Sequence, residues 1–196
     1  MDLTERPRRL RSTPTIRALV RENSIAASSL ILPMFIREGL TEPAPIPGMP
    51  GVLQHTPKSL EAEITKALAA GIGGVMLFGI PERRDADGTE ALNTEGILSR
   101  AVRQVRAQAG NDLVIVADLC LDEFTSHSHC GVLDKEGRVD NDRTLEIYAA
   151  MAVVLADAGA HMVGTSGMMD GQVGAVRRQL DSANHSDVLI LAYAAK

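Results

Sequence analysis

Apolar residues cluster in five short, nearly unbroken runs: "SLILPMFI" (29–36), "GGVMLFGI" (73–80), "LVIVADLC" (113–120), "HMVGTSG" (161–167) and "VLILAYA" (188–194). A strand wetted on one face alternates apolar and polar positions; runs without alternation predict strands covered on both faces, as in a parallel sheet. The segments between them carry a helical period instead. Thr56 and Pro57 supply an N-cap and a first-turn proline, Leu60, Ile64 and Leu68 share one face, and Gly71 marks the stop. Ile97, Ala101 and Val105 trace a second helix ending at Gly110, and Asp142 caps a third with Leu145, Ala152 and Leu155 inward before Gly159. Val173, Val176 and Leu180 mark a fourth. The helix-glycine-strand rhythm recurs in "AAGIGGVML", "AQAGNDLVIV" and "ADAGAHMV", which predicts repeated βα units.

Two architectures share this rhythm, an open doubly wound sheet and a β/α (TIM-type) barrel. No G-x-G-x-x-G follows the first strand, which weakens the dinucleotide-binding version. Barrels gather their chemistry at the C-terminal strand ends, and those ends carry Asp118, Cys120, Ser166 and Lys196. The barrel is the favoured reading, although it needs eight strands and only five are evident.

Composition narrows the class further. A chain of 196 residues can bury one substantial core, and the absence of Trp means that core is aliphatic. The net charge of −5 gives no electrostatic case for nucleic acid or an anionic membrane. The one basic stretch, "RPRRLR" (6–11), reads as a solvated arm. No run reaches the roughly 18 apolar residues of a membrane span, and no leader precedes a cleavage-like site. Two cysteines make no disulfide framework, so a reducing cytoplasm is the expected compartment and a Cys120–Cys130 bridge is disfavoured.

The densest chemistry lies in "ADLCLDEFTSHSHCG" (117–131). Cys120, Asp122 and Cys130, with His127 and His129 beside them, are zinc-ligand types, and three protein ligands with one open position is a catalytic arrangement. The competing reading is two buried thiols among surface polar residues. Asp118 is either a buried carboxylate satisfied by backbone donors or a proton-transfer group and ammonium partner. In "SGMMDGQVG" (166–174), Asp170 is expected to cap the helix, Met168 and Met169 to fill core space, and Ser166 to face a ligand. Lys196, after small apolar residues, is suited to desolvation and Schiff-base attack, against the plain alternative of a solvated chain end.

Together these stretches resemble the 5-aminolevulinate dehydratase (porphobilinogen synthase) family, from "RPRRLR" through "ILPMFIREG", "PGMPGV", "LFGIPERRDADGTEA", "VIVADLCLDEFTSHSHCGVL", "GRVDNDRTLEIYAAMA" and "MMDGQVGAVRRQLD" to "LAYAAK". The resemblance implies a β/α barrel from residue 29 onward and an N-terminal arm, residues 1–28, that makes oligomer contacts, commonly in an octamer. It implies condensation of two 5-aminolevulinate molecules to porphobilinogen with loss of water, in tetrapyrrole synthesis. By position, Lys196 matches the first of two Schiff-base lysines, Asp118 the active-site aspartate, and Cys120, Asp122 and Cys130 the catalytic metal ligands. Zinc-type members carry three cysteines there. The Cys-Asp-Cys set of this chain is intermediate but still favours Zn2+ over Mg2+, with water or His129 as alternatives to Asp122. The resemblance also allows an allosteric Mg2+ whose site lies outside this chain.

Departures from the family pattern are specific. "GTSGMMDG" (164–171) stands where the family has "APSDMMDG", so Gly167 replaces an aspartate; Ser128 replaces the glycine of "SHGHC"; His161 replaces the aspartate of "GAD". The family extends further, through three more strands and a second lysine. The chain is therefore expected to stop after the fifth strand, to leave its first and fifth strands as open edges, and to be inactive alone. The alternative to a catalytic chain is a remnant that keeps only metal binding or subunit contacts. A barrel aldolase using Lys196 alone leaves the cysteine cluster unexplained.

Overall fold

The computed structural model describes residues 4–193; Lys196 and Ala194 lie outside the described residues. One seven-stranded sheet runs in the order β2-β3-β1-β4-β5-β6-β7. Its strands are β1 (Ile31–Arg37), β2 (Ala44–Pro45), β3 (Leu53–His55), β4 (Gly74–Ile80), β5 (Val114–Leu119), β6 (Met162–Thr165) and β7 (Leu189–Ala192). All pairings are parallel except β2 with β3. The five predicted strands are β1, β4, β5, β6 and β7, each linked to the next by helical crossovers where the period predicted them.

The helices are α1 (Pro14–Leu19), α2 (Pro57–Ala69), α3 (Ile97–Ala109), α4 (Asn141–Asp157) and α5 (Gln172–Ser182). Thr56 caps α2 in a reciprocal capping box with Ser59. The α4 cap is Asp140, whose carboxylate accepts the Arg143 N–H at 3.1 Å. The expected cap, Asp142, lies in the first turn instead, because the chain enters the helix two residues earlier. Val173 is exposed, contrary to expectation, since only Val176 and Leu180 of that face turn onto the sheet. No helix among the described residues is long and apolar enough to cross a membrane.

Strand parity sorts the side chains. On one face Met34, Ile36, Val75, Leu77, Ile115, Ala117, Leu119 and Val163 join Leu60, Ile64, Val102, Val105, Met151 and Leu155 from α2, α3 and α4 in one aliphatic core. The other face carries Phe35 and Phe78, paired in register, whose rings stack at 4.9 Å. It also carries Met76, Asp118, Gly164 and Leu191.

The first strand is not the open edge that five strands imply. β3 pairs with the end of β1 at Phe35–Gln54 and Ile36–His55, and β2 closes over β3. Such short segments cap an edge without offering a long template for association. At the other side β7 pairs with β6, from Met162–Leu189 to Thr165–Ala192. N-terminal to the sheet, residues 4–30 contribute nothing to the core.

One contact fixes how α3 lies on the sheet. A Cβ on Gly79 of β4 would stand 2.9 Å from Leu98 Cα and 3.0 Å from Leu98 N, so the helix start touches bare strand backbone. Backbone cannot yield as a side-chain end can. Gly79→Ala is expected to destabilise the protein by about 1–3 kcal/mol, read as a lowered urea midpoint with an unchanged slope.

A candidate thiol-carboxylate site at the strand ends

Asp118 and Cys120 are two residues apart at the end of β5 and so project from the same face. Ladder pairing sets Asp118 beside Gly164, and Gly164 beside Leu191, which carries that face across β6 and β7 to Ser166 and Tyr193. Ser166 donates from Oγ to Asp118 Oδ1 at 2.9 Å, and Tyr193 donates from its hydroxyl to the same oxygen at 2.7 Å. Asp118 is buried. Two hydroxyl donors thus stabilise a carboxylate with little access to water. Burial and the Asp118 charge raise the Tyr193 phenol well above its ordinary range, so it stays a donor.

Tyr193 reaches back over β6 because Gly164 has no side chain. A Cβ there would meet the tyrosine ring at 2.9 Å and the Met76 methyl at 3.2 Å.

Beyond β5 the chain turns through residues 121–129 and returns at Cys130. Donor atoms of Cys120, Asp122 and Cys130 all lie within 4.8 Å of one another. Zinc–ligand lengths of about 2.0–2.3 Å hold the donors of a tetrahedral site about 3.3–3.8 Å apart. The set therefore accommodates one ion with small side-chain rotations, and two thiols with one carboxylate suit zinc better than magnesium. Burial, then Asp122, raises the Cys120 thiol strongly.

Neither histidine joins that cluster. His127 accepts the His129 N–H through Nδ1 at 3.1 Å while Nε2 stands 3.1 Å from the Ala86 carbonyl, an arrangement that uses both ring nitrogens to tie the loop. His129 is exposed, and its carbonyl accepts from Thr125 Oγ1 at 2.8 Å. A bridge between Asp85 and Thr125 holds this loop to the one after β4.

Three residues at the site had not been singled out. Glu123 forms a second close group with Asp118 and Asp122. Its carboxyl is pushed up to about 9, first by burial, then by a hydrogen bond with Asp122 and the neighbouring negative charges, so it is protonated at neutral pH. The adjacent acid pair in "LDEF" was its one signal. Tyr148 and Tyr193 are the chain's only tyrosines; scarcity was theirs.

The departures have local consequences. Ser128 adopts φ +59, the left-handed region that glycine enters without cost. At Gly167 a Cβ would lie 2.3 Å from the Tyr148 hydroxyl. His161 accepts the Ile115 N–H through Nδ1 at 3.1 Å, linking the start of β6 to β5. Asp170 does not cap α5: the cap is Gly171, and the Asp170 N–H donates to Asn141 Oδ1 at 2.8 Å. Met168 is exposed, while Met169 packs on the core. Two clefts of about 380 Å³ each flank Met168, one beside Thr165, Gly167 and Ala192, the other beside His129, Cys130 and Gly131.

A mainly parallel sheet with helices packed on one face and polar groups gathered at the C-terminal strand ends has the build of part of a β/α barrel, with the sheet not closed. The chain belongs to the delta-aminolevulinic acid dehydratase family, whose sequence model it matches over residues 4–196. It is 57% identical over 193 residues to the delta-aminolevulinic acid dehydratase of Streptomyces coelicolor, covering 97% of this chain and 58% of that one. It is 54% identical over 194 residues to that of Mycobacterium tuberculosis H37Rv, covering 98% and 59%. Among solved structures, the delta-aminolevulinic acid dehydratase (porphobilinogen synthase) of Toxoplasma gondii, in complex with the reaction product porphobilinogen, superposes with a TM-score of 0.92. That match has 39% identity and covers 97% of this chain and 55% of the other. The chain thus spans a little over half the length of these relatives.

Ser128→Gly removes the left-handed strain in the thiol loop. It is expected to stabilise the protein by roughly 0.5–1 kcal/mol, measured as a raised urea midpoint; a lowered midpoint contradicts the assignment of strain.

Proposed function

We propose that the protein carrying this chain condenses two molecules of 5-aminolevulinate to porphobilinogen, with Lys196 and Asp118 catalytic, Ser166 binding substrate, and Cys120, Asp122 and Cys130 holding zinc. The observation that carries this reading is the convergence of the Cys120–Asp122–Cys130 cluster and the Ser166–Asp118–Tyr193 network at one end of the sheet. Family membership supports it, as does the product named for the Toxoplasma gondii structure.

In this scheme the Lys196 amine attacks the ketone of one substrate, forming the imine carbon–nitrogen bond and releasing the oxygen as water. Asp118 holds the substrate ammonium or accepts a proton in the condensation, and the hydroxyls on Oδ1 set the angle of its carboxylate. Ser166, half-buried beside it, offers its hydroxyl to the substrate. Zinc, when bound, supplies Lewis acidity toward a substrate oxygen.

The reading extends to assembly and compartment. Residues 1–28 act as an arm for contacts between copies in a homo-oligomer, a role that the exposure of residues 4–28 supports, and a cytoplasmic compartment is in keeping with two cysteines that form no disulfide.

Porphobilinogen formation from 5-aminolevulinate tests the scheme directly. Asp118→Asn is expected to lower the rate at least a hundredfold, chelator treatment to abolish it, and added zinc to restore it. Borohydride reduction in the presence of substrate is expected to label Lys196. An undiminished rate in Asp118→Asn, or a label confined to other lysines, contradicts the assignment.

A further inference from the structure

Beside the thiol cluster stands a tyrosine with no role in the scheme above. Tyr148 of α4 is fully buried. Its hydroxyl donates to the Cys130 carbonyl oxygen and stands 3.7 Å from Cys120 Sγ, within hydrogen-bond reach of sulfur. One phenol therefore touches both cysteines, although they arrive from different directions: Cys120 off the end of β5, Cys130 on the returning loop.

The ring has room because residue 167 is glycine. A Cβ there would come within 2.3 Å of the Tyr148 hydroxyl oxygen, 2.8 Å of Cζ and 2.9 Å of Cε2. No side chain at 167 can coexist with the ring in this place.

We propose that Tyr148 is a positioning residue of the thiolate metal site, and that Gly167 supplies the space that admits it. The proposal rests on the zinc reading given above. Two thiols without a covalent link must be held close, and once deprotonated they repel each other. The bond to the Cys130 carbonyl fixes the backbone that carries its sulfur. The same hydroxyl oxygen stands 3.7 Å from the Cys120 sulfur, so the group that bonds the Cys130 backbone also sets how closely the Cys120 side chain approaches it. Partners outside the ligand set commonly contribute ten- to a hundredfold in metal affinity. Val132 N–H donates to Thr144 Oγ1 at 3.1 Å one turn earlier on α4, so α4 holds the returning segment at two successive points.

Cobalt provides the test, because thiolate-to-cobalt charge-transfer bands report sulfur coordination. Tyr148→Phe keeps the ring and deletes only the donor. In the purified protein it is expected to weaken Co2+ and Zn2+ affinity tenfold or more and to shift the charge-transfer band, while the metal-free protein keeps its circular dichroism. Wild-type affinity together with an unshifted band in Tyr148→Phe overturns the proposal, since a space-filling ring predicts that result. Gly167→Ala is expected to weaken cobalt binding likewise; full affinity in that variant removes the role given to Gly167. Should either substitution prevent folding, the intact ring is read directly. In the 196-residue chain carrying Tyr193→Phe, Tyr148 is the sole tyrosine, and its near-ultraviolet absorbance is expected to change on zinc addition; no change overturns the proposal. Absence of any thiolate band in the wild-type protein contradicts the zinc reading itself, which separates that failure from this one.

Discussion

The pairing of Asp118 with Gly164, and of Gly164 with Leu191, determines the facing of every group at the strand ends. Side chains along a strand alternate, so a slip of one residue in either ladder would turn Ser166 or Tyr193 into the helix-packed core and leave Asp118 without hydroxyl donors. The aliphatic face prevents such a slip. Ile115, Ala117, Leu119 and Val163 must all remain against the helices, and any shift would expose them together. Chemistry on one face is thus held in register by apolar burial on the other.

Electrostatics follow from that placement. Asp118, Asp122 and Glu123 share one corner with poor access to water, where three full negative charges are unfavourable. Glu123 relieves the crowding by keeping its proton, and Asp118 relieves it through two hydroxyl donors on one oxygen. Two thiols placed nearby extend the same negative potential once they ionise. A bound cation offsets it, and this makes metal binding and the protonation of this corner parts of one balance.

Much of this was legible in the sequence because buried parallel strands and capped helices have strong local signals. Five apolar runs marked five strands, and Thr56-Pro57 marked a helix start that the structure places at the same residues. The short β2 and β3 were not legible: "AP" and "LQH" have too few residues for any period, and their pairing depends on β1. Asp140 lost the α4 cap to Asp142 in the sequence reading because both residues are good caps, and only the chain's path separates them. Cys120, Asp122, Cys130, Asp118 and Ser166 could be named from residue type and strand position. Tyr148 and Tyr193 could not, since each arrives from another element and depends on space that a distant glycine leaves open. Lys196 lies outside the described residues, so its part in the scheme rests on the family pattern and the reaction.

Those two glycines bear on how the departures from the family pattern are judged. Gly167 in place of an aspartate and Ser128 in place of a glycine read, one at a time, as erosion of a site. In three dimensions the volume surrendered at 167 is filled by the Tyr148 ring, whose hydroxyl bonds the Cys130 carbonyl. The volume surrendered at 164 is filled by the Tyr193 ring, whose hydroxyl bonds Asp118. In each case a side chain withdrawn from β6 or its following turn is matched by a phenol from a neighbouring element, buried at Tyr148 and partly open to solvent at Tyr193, that donates into the site. Each ring fills and hydrogen-bonds the space next to its glycine, although a cleft of about 380 Å³ still opens beside Gly167. The unit of comparison at this site is therefore a glycine with its tyrosine, not a single residue, and only Ser128, with its strained φ, stands as an uncompensated change.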